Sequence, residues 1–200
     1  GTIKQNDRVL IPIRLAAADE GYVIDWDSLA TVLAEKQTKI FLLTNPHNPT
    51  GHVFTKSELA RLYDLCQAAH VFLISDDIHR DIVYPGHSYE PMTNVGTSDV
   101  ALCCSVSKTF NTPGLIGSYA FLPDHDVRAQ FLTELKQKNA LSSVSIFGML
   151  AQIAAYNGSA DDVEQLPAYT KNNMELVASY LEENLPELQF SLPDATYLAW

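Results

Sequence analysis

The chain has 200 residues, of which 46% are hydrophobic, so it can bury a sizeable core in one large domain or in one domain and part of another. Its net charge of −11 argues against nucleic acid and against anionic membrane surfaces as partners. No apolar stretch approaches the roughly 18 residues of a membrane-spanning helix, and the three cysteines do not suggest a disulfide framework, which favours the reducing cytoplasm.

Patterns typical of strands and of helices alternate along the chain. In chain order they predict a strand at residues 9–15, a helix at 27–36, a strand at 40–43, a helix at 55–69, strands at 71–75, 100–104 and 118–122, and helices at 126–138, 145–156 and 168–183. Pro12 restricts the first strand to an edge or irregular position. Asp27 is predicted to cap the first helix, and Thr55 with Glu58 forms a capping box for the second. This alternation predicts an α/β fold with a mostly parallel sheet.

A proline-rich loop follows the strand at residues 40–43. Residues 45–51 read NPHNPTG and contain two Asn-Pro steps, which exclude a helix and force a turn. An ordinary turn needs only one such step. The loop therefore places amide side chains, including that of Asn48, at the carboxyl end of a strand.

Two charged residues follow later strands in the same way. Asp76 comes after the strand at 71–75, where a buried aspartate stays ionised only beside a cationic partner, such as a protonated pyridine nitrogen. A helix N-cap is the other interpretation of Asp76. Lys108 follows the strand at 100–104, and loss of hydration there favours a neutral, nucleophilic amine. Open α/β sheets bind ligands at such strand ends.

A metal site is the alternative reading of one segment. Asp76, Asp77, His79 and Asp81 lie close together and carry oxygen and nitrogen ligands. However, the segment lacks a paired histidine spacing, and the cysteines are not arranged as ligands. We therefore predict no metal site.

Three motifs in this order, NPHNPTG at 45–51, SDDIH at 75–79 and SKTFN at 107–111, resemble the fold-type I enzymes that depend on pyridoxal 5′-phosphate (PLP), in the aminotransferase class I/II superfamily. The likeness runs from about residue 9 to residue 200. His79 and the SKTFN motif favour the MalY/PatB branch of cystathionine β-lyases, since ordinary aminotransferases more often have tyrosine where His79 stands. The TYLAW sequence at 196–200 also resembles that branch.

The resemblance implies roles for individual residues. Lys108 matches the lysine to which PLP is covalently attached, and Asp76 matches the aspartate that pairs with the pyridinium nitrogen. Asn48 matches the asparagine that hydrogen-bonds the 3′-oxygen of the cofactor, and His79 takes the place of the tyrosine that shares this oxygen.

The phosphate side of the resemblance is less complete. Ser105 and Ser107 match positions near the cofactor phosphate. Many aminotransferases carry an arginine eight residues after the lysine, but Ile116 stands there in this chain. This departure argues against a plain aminotransferase.

The resemblance also implies an architecture. We expect a three-layer α/β sandwich, the large domain of a PLP-dependent transferase, at residues 1–165, with its N-terminal part missing. Residues 166–200 would be the connecting helix and the first strand of a small C-terminal domain, with residues 196–200 entering its sheet. We therefore expect the chain to be a fragment that is inactive by itself, and the intact protein to be a homodimer.

Three functions follow from these observations. The first is a PLP-dependent carbon–sulfur β-lyase that cleaves cystathionine or a related cysteine S-conjugate to pyruvate, ammonia and a thiol. The second is a PLP-dependent aminotransferase, which would use the same residues. The third is a catalytically incomplete fragment or regulatory relative.

Overall fold

A computed structural model of the chain describes residues 2–18, 21–141, 144–158 and 160–200. Its helices and strands, in chain order, are α1 (Thr2–Gln5), β1 (Leu15–Ala18), β2 (Gly21–Ile24), α2 (Trp26–Ala34), β3 (Ile40–Thr44), α3 (Lys56–Ala68), β4 (Phe72–Asp76), β5 (Val100–Cys104), β6 (Tyr119–Phe121), α4 (His125–Thr133), α5 (Ile146–Gly158) and α6 (Ala160–Asn184). Short 3-10 turns occupy Met92–Asn94 and Pro113–Leu115, and a π-helical turn, Glu134–Lys138, follows α4.

The main sheet has the strand order β3-β4-β5-β6. Strands β3, β4 and β5 are parallel, whereas β6 pairs antiparallel with β5. The predicted α/β class with a parallel sheet is therefore confirmed. Because parallel strands run in one direction, the loops that follow β3, β4 and β5 all leave from one edge of the sheet.

One face of this sheet carries the hydrophobic core. Helices α2 and α3 cover it with buried leucines, which contact alternate residues of the parallel strands; the core includes Leu29, Leu33, Leu59, Leu62, Leu43, Leu73 and Val100. On the opposite face of β3, Ile40 and Leu42 stay more than half exposed. The alternation of one buried and one exposed face follows from the two-residue period of a strand.

The first predicted strand was wrong. Residues 8–14 form no regular element, and the strand begins at Leu15, where β1 pairs antiparallel with β2. Pro12 has no backbone N–H to give to a neighbouring strand, and Val9 is 87% exposed. Residues 9–14 therefore have no partner strand within the described residues.

The two predicted N-caps had different outcomes. Thr55 and Glu58 form the expected capping box, because each side chain bonds the backbone N–H of the other residue, at 3.2 and 2.8 Å. The predicted cap at Asp27 was wrong, since helix α2 already includes that residue. Asp25 is the cap and accepts a hydrogen bond of 3.0 Å from the N–H of Ser28.

The C-terminal elements differ most from the sequence pattern. Helix α6 begins at Ala160 and contains Pro167, although the pattern predicted a start at residue 168. The predicted boundary between residues 165 and 166 thus falls inside α6, and the division into two domains stays a prediction. The strand predicted at residues 196–200 is wrong, because the described chain forms only an isolated bridge between Val83 and Ala195, and Thr196 adopts a φ of 72°.

Candidate active site

The ends of the three parallel strands lie side by side. Thr44 pairs with Asp76, which in turn pairs with Cys103. The pairing continues one residue further, since the N–H of Asn45 donates to the Asp76 carbonyl at 3.0 Å and the N–H of Asp77 donates to the Cys103 carbonyl at 2.8 Å. The three segments that carry the sequence motifs therefore start next to each other.

The loop after β3 is fixed by buried contacts. Asn45 is fully buried, and its Nδ2 donates to the Glu90 carbonyl at 3.0 Å. Gly51 has a φ of 72°, and a Cβ at this position would collide with Pro193 and Ala195. Only glycine combines this backbone angle with such a close approach. The loop thereby presents Asn48 at its exposed tip.

His79 lies beneath Asn48. Asn48 Nδ2 and His79 Nε2 are 3.4 Å apart, and the His79 side chain is buried. Burial lowers the pKa of His79, and the positive charge of Lys108 lowers it further, while Asp76 acts in the opposite direction. His79 is thus favoured in its neutral form, in which Nε2 can accept a hydrogen bond from the Asn48 amide.

The aromatic ring of Tyr197 closes the other side of His79. The two rings meet edge to face with centroids 5.8 Å apart. His79 Nδ1 is buried and has no hydrogen-bond partner among the described residues. An unpaired buried nitrogen is a group that a bound ligand can satisfy.

Asp76 occupies the last position of β4. It is half-buried, and its Oδ1 accepts a hydrogen bond of 3.3 Å from the N–H of Ile78. Its charge acts on three neighbours: it adds to the effect of burial in raising the pKa of Cys103 and of Asp77, and it opposes the lowering of the His79 pKa. Asp76 therefore brings a negative charge to the same edge of the sheet as His79.

Lys108 lies in a turn that follows β5. Ser105 Oγ accepts a hydrogen bond from the N–H of Ser107 at 3.1 Å and donates one to the Gly117 carbonyl at 2.6 Å. Two backbone bonds of 3.0 Å, from Phe110 to Val106 and from Thr112 to Ser107, close the turn. Lys108 is half-buried, and its positive charge helps to lower the pKa of His79.

The structure thus brings Asn48, Asp76, His79 and Lys108 together, although 60 residues separate the first from the last in the sequence. The roles of Ser105 and Ser107 near a phosphate stay predictions. The Ser105 hydroxyl bonds to backbone atoms, and the side chain of Ser107 is half-buried.

This group of side chains fits PLP. A primary amine can form an imine with the aldehyde, a carboxylate can hold the proton of the ring nitrogen, and an amide with a neutral imidazole can bond the ring oxygen. The unpaired Nδ1 of His79 leaves room for one more polar contact. Among the described residues, no cluster of three or more His, Cys, Asp or Glu side chains could hold a metal ion.

The sequence reasoning missed a buried carboxyl group next to Asp76. Asp77 is fully buried and accepts hydrogen bonds from the hydroxyls of Ser75 and Tyr89. Burial raises its pKa to about 6, although both hydrogen bonds act to lower it. Tyr89 and Glu90 together hold the loops after β3 and β4, because Tyr89 bonds Asp77 and Glu90 bonds Asn45.

A second missed cluster surrounds Arg80. Its guanidinium donates to the hydroxyls of Tyr119 and Tyr156 at 2.8 and 3.1 Å, and its Nε lies 3.4 Å from Asp81 Oδ1. Asp81 Oδ2 accepts a hydrogen bond of 3.0 Å from the hydroxyl of Thr109. Apart from the adjacent Arg80 and Asp81, these partners are 28 to 76 residues apart, so no short sequence pattern could reveal them.

Comparison with known proteins gives a consistent result. Residues 2–200 match the family described as aminotransferase class I and II. The chain is 39% identical to protein MalY of Escherichia coli over 198 residues, which cover 99% of this chain and 51% of MalY. It is 34% identical to cystathionine beta-lyase PatB of Bacillus subtilis, over 99% of this chain and 52% of PatB. The chain therefore spans about half the length of these curated relatives.

A solved structure shows the same fold. The PLP-bound C-S lyase of Staphylococcus hominis superposes with a TM-score of 0.91 and 30% sequence identity, over 98% of this chain and 50% of the lyase chain. The predicted fold of a PLP-dependent transferase is therefore confirmed. Within the described residues, none of the helices is long and apolar enough to cross a membrane.

Proposed function

The chain belongs to the aminotransferase class I and II family, and we propose that the protein carrying it is a PLP-dependent carbon–sulfur β-lyase. Its substrate would be cystathionine or a related cysteine S-conjugate, and its products pyruvate, ammonia and a thiol. One observation carries the proposal: Asn48, Asp76, His79 and Lys108 meet at the edge of the sheet where β3, β4 and β5 end. The likeness to MalY and PatB favours the lyase reaction.

PLP, when bound, supplies an electron sink for a carbanion at the substrate Cα. Lys108 would bind the cofactor aldehyde and, once displaced by the substrate amine, would take the Cα proton with its free amine. Asp76 would hold the proton on the ring nitrogen, because its negative charge favours the cationic ring. Asn48 would donate a hydrogen bond to the ring oxygen, and neutral His79 would orient Asn48 from below.

An aminotransferase is the second candidate. The matched family is named for that reaction, and the same four residues would serve it. The two reactions separate after Cα deprotonation. Loss of a sulfur group from Cβ, followed by hydrolysis, would give the lyase products, whereas transfer of the amino group would require a 2-oxo acid as acceptor.

The proposal also covers the location of the protein, its association state and its small-molecule partner. Free Cys66, Cys103 and Cys104 suit a reducing compartment, which supports a cytoplasmic location. Exposed apolar side chains on α5, including Phe147 and Leu150, support association into a homodimer. A small amino acid is the expected partner of the site.

Product analysis tests the proposal. The protein carrying this sequence is incubated with PLP and cystathionine, and pyruvate and the released thiol are measured. We expect both products in equal amounts, with no need for a 2-oxo acid. Lys108→Ala is the control and should release neither. Conversion that requires a 2-oxo acid and yields no thiol would favour the aminotransferase.

A further inference from the structure

We propose that the hydrogen bond from Thr109 to Asp81 positions Lys108 for the reaction. Thr109 and Asp81 are then positioning residues. The proposal rests on the function proposed for Lys108. Thr109 directly follows Lys108, and its hydroxyl donates to Asp81 Oδ2 at 3.0 Å. Only 8% of Thr109 is exposed, so little water competes for this bond.

Residues 105–112, which hold Lys108, form neither helix nor strand. Two backbone hydrogen bonds, from Phe110 and Thr112, close this turn, and the Ser105 hydroxyl bonds the Ser107 N–H and the Gly117 carbonyl. None of these bonds connects the turn to the segment after β4. The Thr109 hydroxyl supplies that connection, because its acceptor belongs to the segment after β4.

Asp81 is a well-anchored acceptor. Its other oxygen, Oδ1, lies 3.4 Å from Arg80 Nε, and Arg80 also bonds the hydroxyls of Tyr119 and Tyr156. Tyr119 belongs to β6 and Tyr156 to α5, so the carboxylate is tied to two further elements. A hydrogen bond to a carboxylate is stronger than one between neutral groups, and the guanidinium holds this carboxylate in place.

The same segment carries two of the proposed cofactor contacts. Tight backbone bonds connect Arg80 to Asp77 at 3.1 Å and Ile82 to His79 at 3.0 Å. Asp81 is therefore fixed relative to Asp76 and His79. The bond from Thr109 then sets Lys108 at a constant distance from both residues. Displacement of a reacting group by about 1 Å can cost about a hundredfold in rate.

Two substitutions separate the hydrogen bond from packing. Thr109→Val keeps the branched shape and removes the hydroxyl, whereas Thr109→Ser keeps the hydroxyl and removes a methyl group. Thr38→Val is the matched control, because it removes a half-buried threonine hydroxyl that bonds the Val32 carbonyl far from the site. If the hydrogen bond positions Lys108, the serine variant should resemble the unchanged protein and the valine variant should not.

Hydrogen exchange gives a measurement that needs no cofactor. In the protein without PLP, Thr109→Val should speed amide exchange of Phe110 and Thr112 about tenfold, the effect of one lost hydrogen bond. Thr109→Ser and Thr38→Val should leave these rates unchanged. Unchanged exchange in the valine variant, or equal changes in the valine and serine variants, would overturn the proposal.

Kinetics and absorbance test the link to Lys108. With PLP bound, Thr109→Val should lower kcat about a hundredfold with little change in KM, and shift the pH midpoint of the cofactor absorbance band. Thr109→Ser should restore both values. A valine variant with altered exchange but unchanged kcat and midpoint would overturn the positioning role. An unchanged protein that shows no cofactor band would instead contradict the proposed function, while the exchange rates still decide whether the bond holds the turn.

Discussion

Replacement of the buried carboxyl group beside Asp76 should remove a loss of stability that the unchanged protein shows as pH rises. Asp77 is fully buried and bonded to Ser75 and Tyr89, with Asp76 and Arg80 as charged neighbours. The difference in unfolding free energy between Asp77→Asn and the unchanged protein, followed over pH, reports on the ionisation of Asp77. The amide keeps the shape of the side chain. It can accept a hydrogen bond from one of the two hydroxyls and donate one to the oxygen of the other.

The size and sign of the effect follow from the pKa. Burial raises the pKa of Asp77 from 3.8 to about 6. Ionisation therefore costs more in the folded state than in the unfolded state, and the group favours folding only while it is protonated. This contribution is complete below about pH 4 and is lost as pH rises through 6. A shift of about two units corresponds to about 3 kcal/mol.

Urea unfolding at a series of pH values measures this contribution. Between pH 4 and pH 7 the unchanged protein should lose about 3 kcal/mol of unfolding free energy relative to Asp77→Asn. Asp64→Asn, which changes an exposed carboxylate on α3, is the control and should follow the unchanged protein. Parallel pH curves for Asp77→Asn and the unchanged protein would refute the assignment of a raised pKa to this group.

Two further predictions concern the neighbouring residue and the helix cap. Asp76→Asn should slow Cα deprotonation about a thousandfold, since loss of ~4 kcal/mol of stabilisation of the ring proton has that effect on the rate. Asp77→Asn should cost much less activity. Comparable losses for the two variants in single-turnover kinetics would show that the two residues have exchanged roles. Thr55→Ala should lower the unfolding free energy by about 1 kcal/mol because it removes the cap of α3; an unchanged urea midpoint would show that Glu58 alone suffices.

The sheet could be predicted because its strands are buried on at least one face and are separated by strong turn signals. The apolar runs that became β3, β4 and β5 were found to within one residue or two. Their parallel order followed from the alternation with helices. Position along the chain then placed Asn48, Asp76 and Lys108 at one edge, before any contact was known.

The errors lie where a distant partner decides the structure. Residues 9–14 are mostly apolar but have no neighbouring strand in the described part of the chain, whereas the less distinctive segment of β1 has β2 beside it. The helix predicted to start at residue 168 begins at Ala160 and continues through Pro167. Asp25 and Asp27 are equally good caps by composition, and only the direction of the Asp25 side chain toward Ser28 separates them.

The buried polar groups were equally hidden from sequence reasoning. The sequence suggested Asp77 only as one of several possible metal ligands, because its partner Tyr89 lies 12 residues away in an irregular segment. The contact between Thr109 and Asp81 spans 28 residues and joins two loops. Periodicity describes helices and strands, but it carries no information about which loop side chains meet.

Borohydride reduction of the PLP-loaded protein tests the central claim most directly. Reduction would fix the cofactor to whichever lysine holds it, and peptide mass analysis would then locate the added pyridoxyl mass. We predict the label on the peptide that contains Lys108, and its loss in Lys108→Ala. A label on Lys136 or Lys138 instead would contradict the site proposed at the ends of β3, β4 and β5.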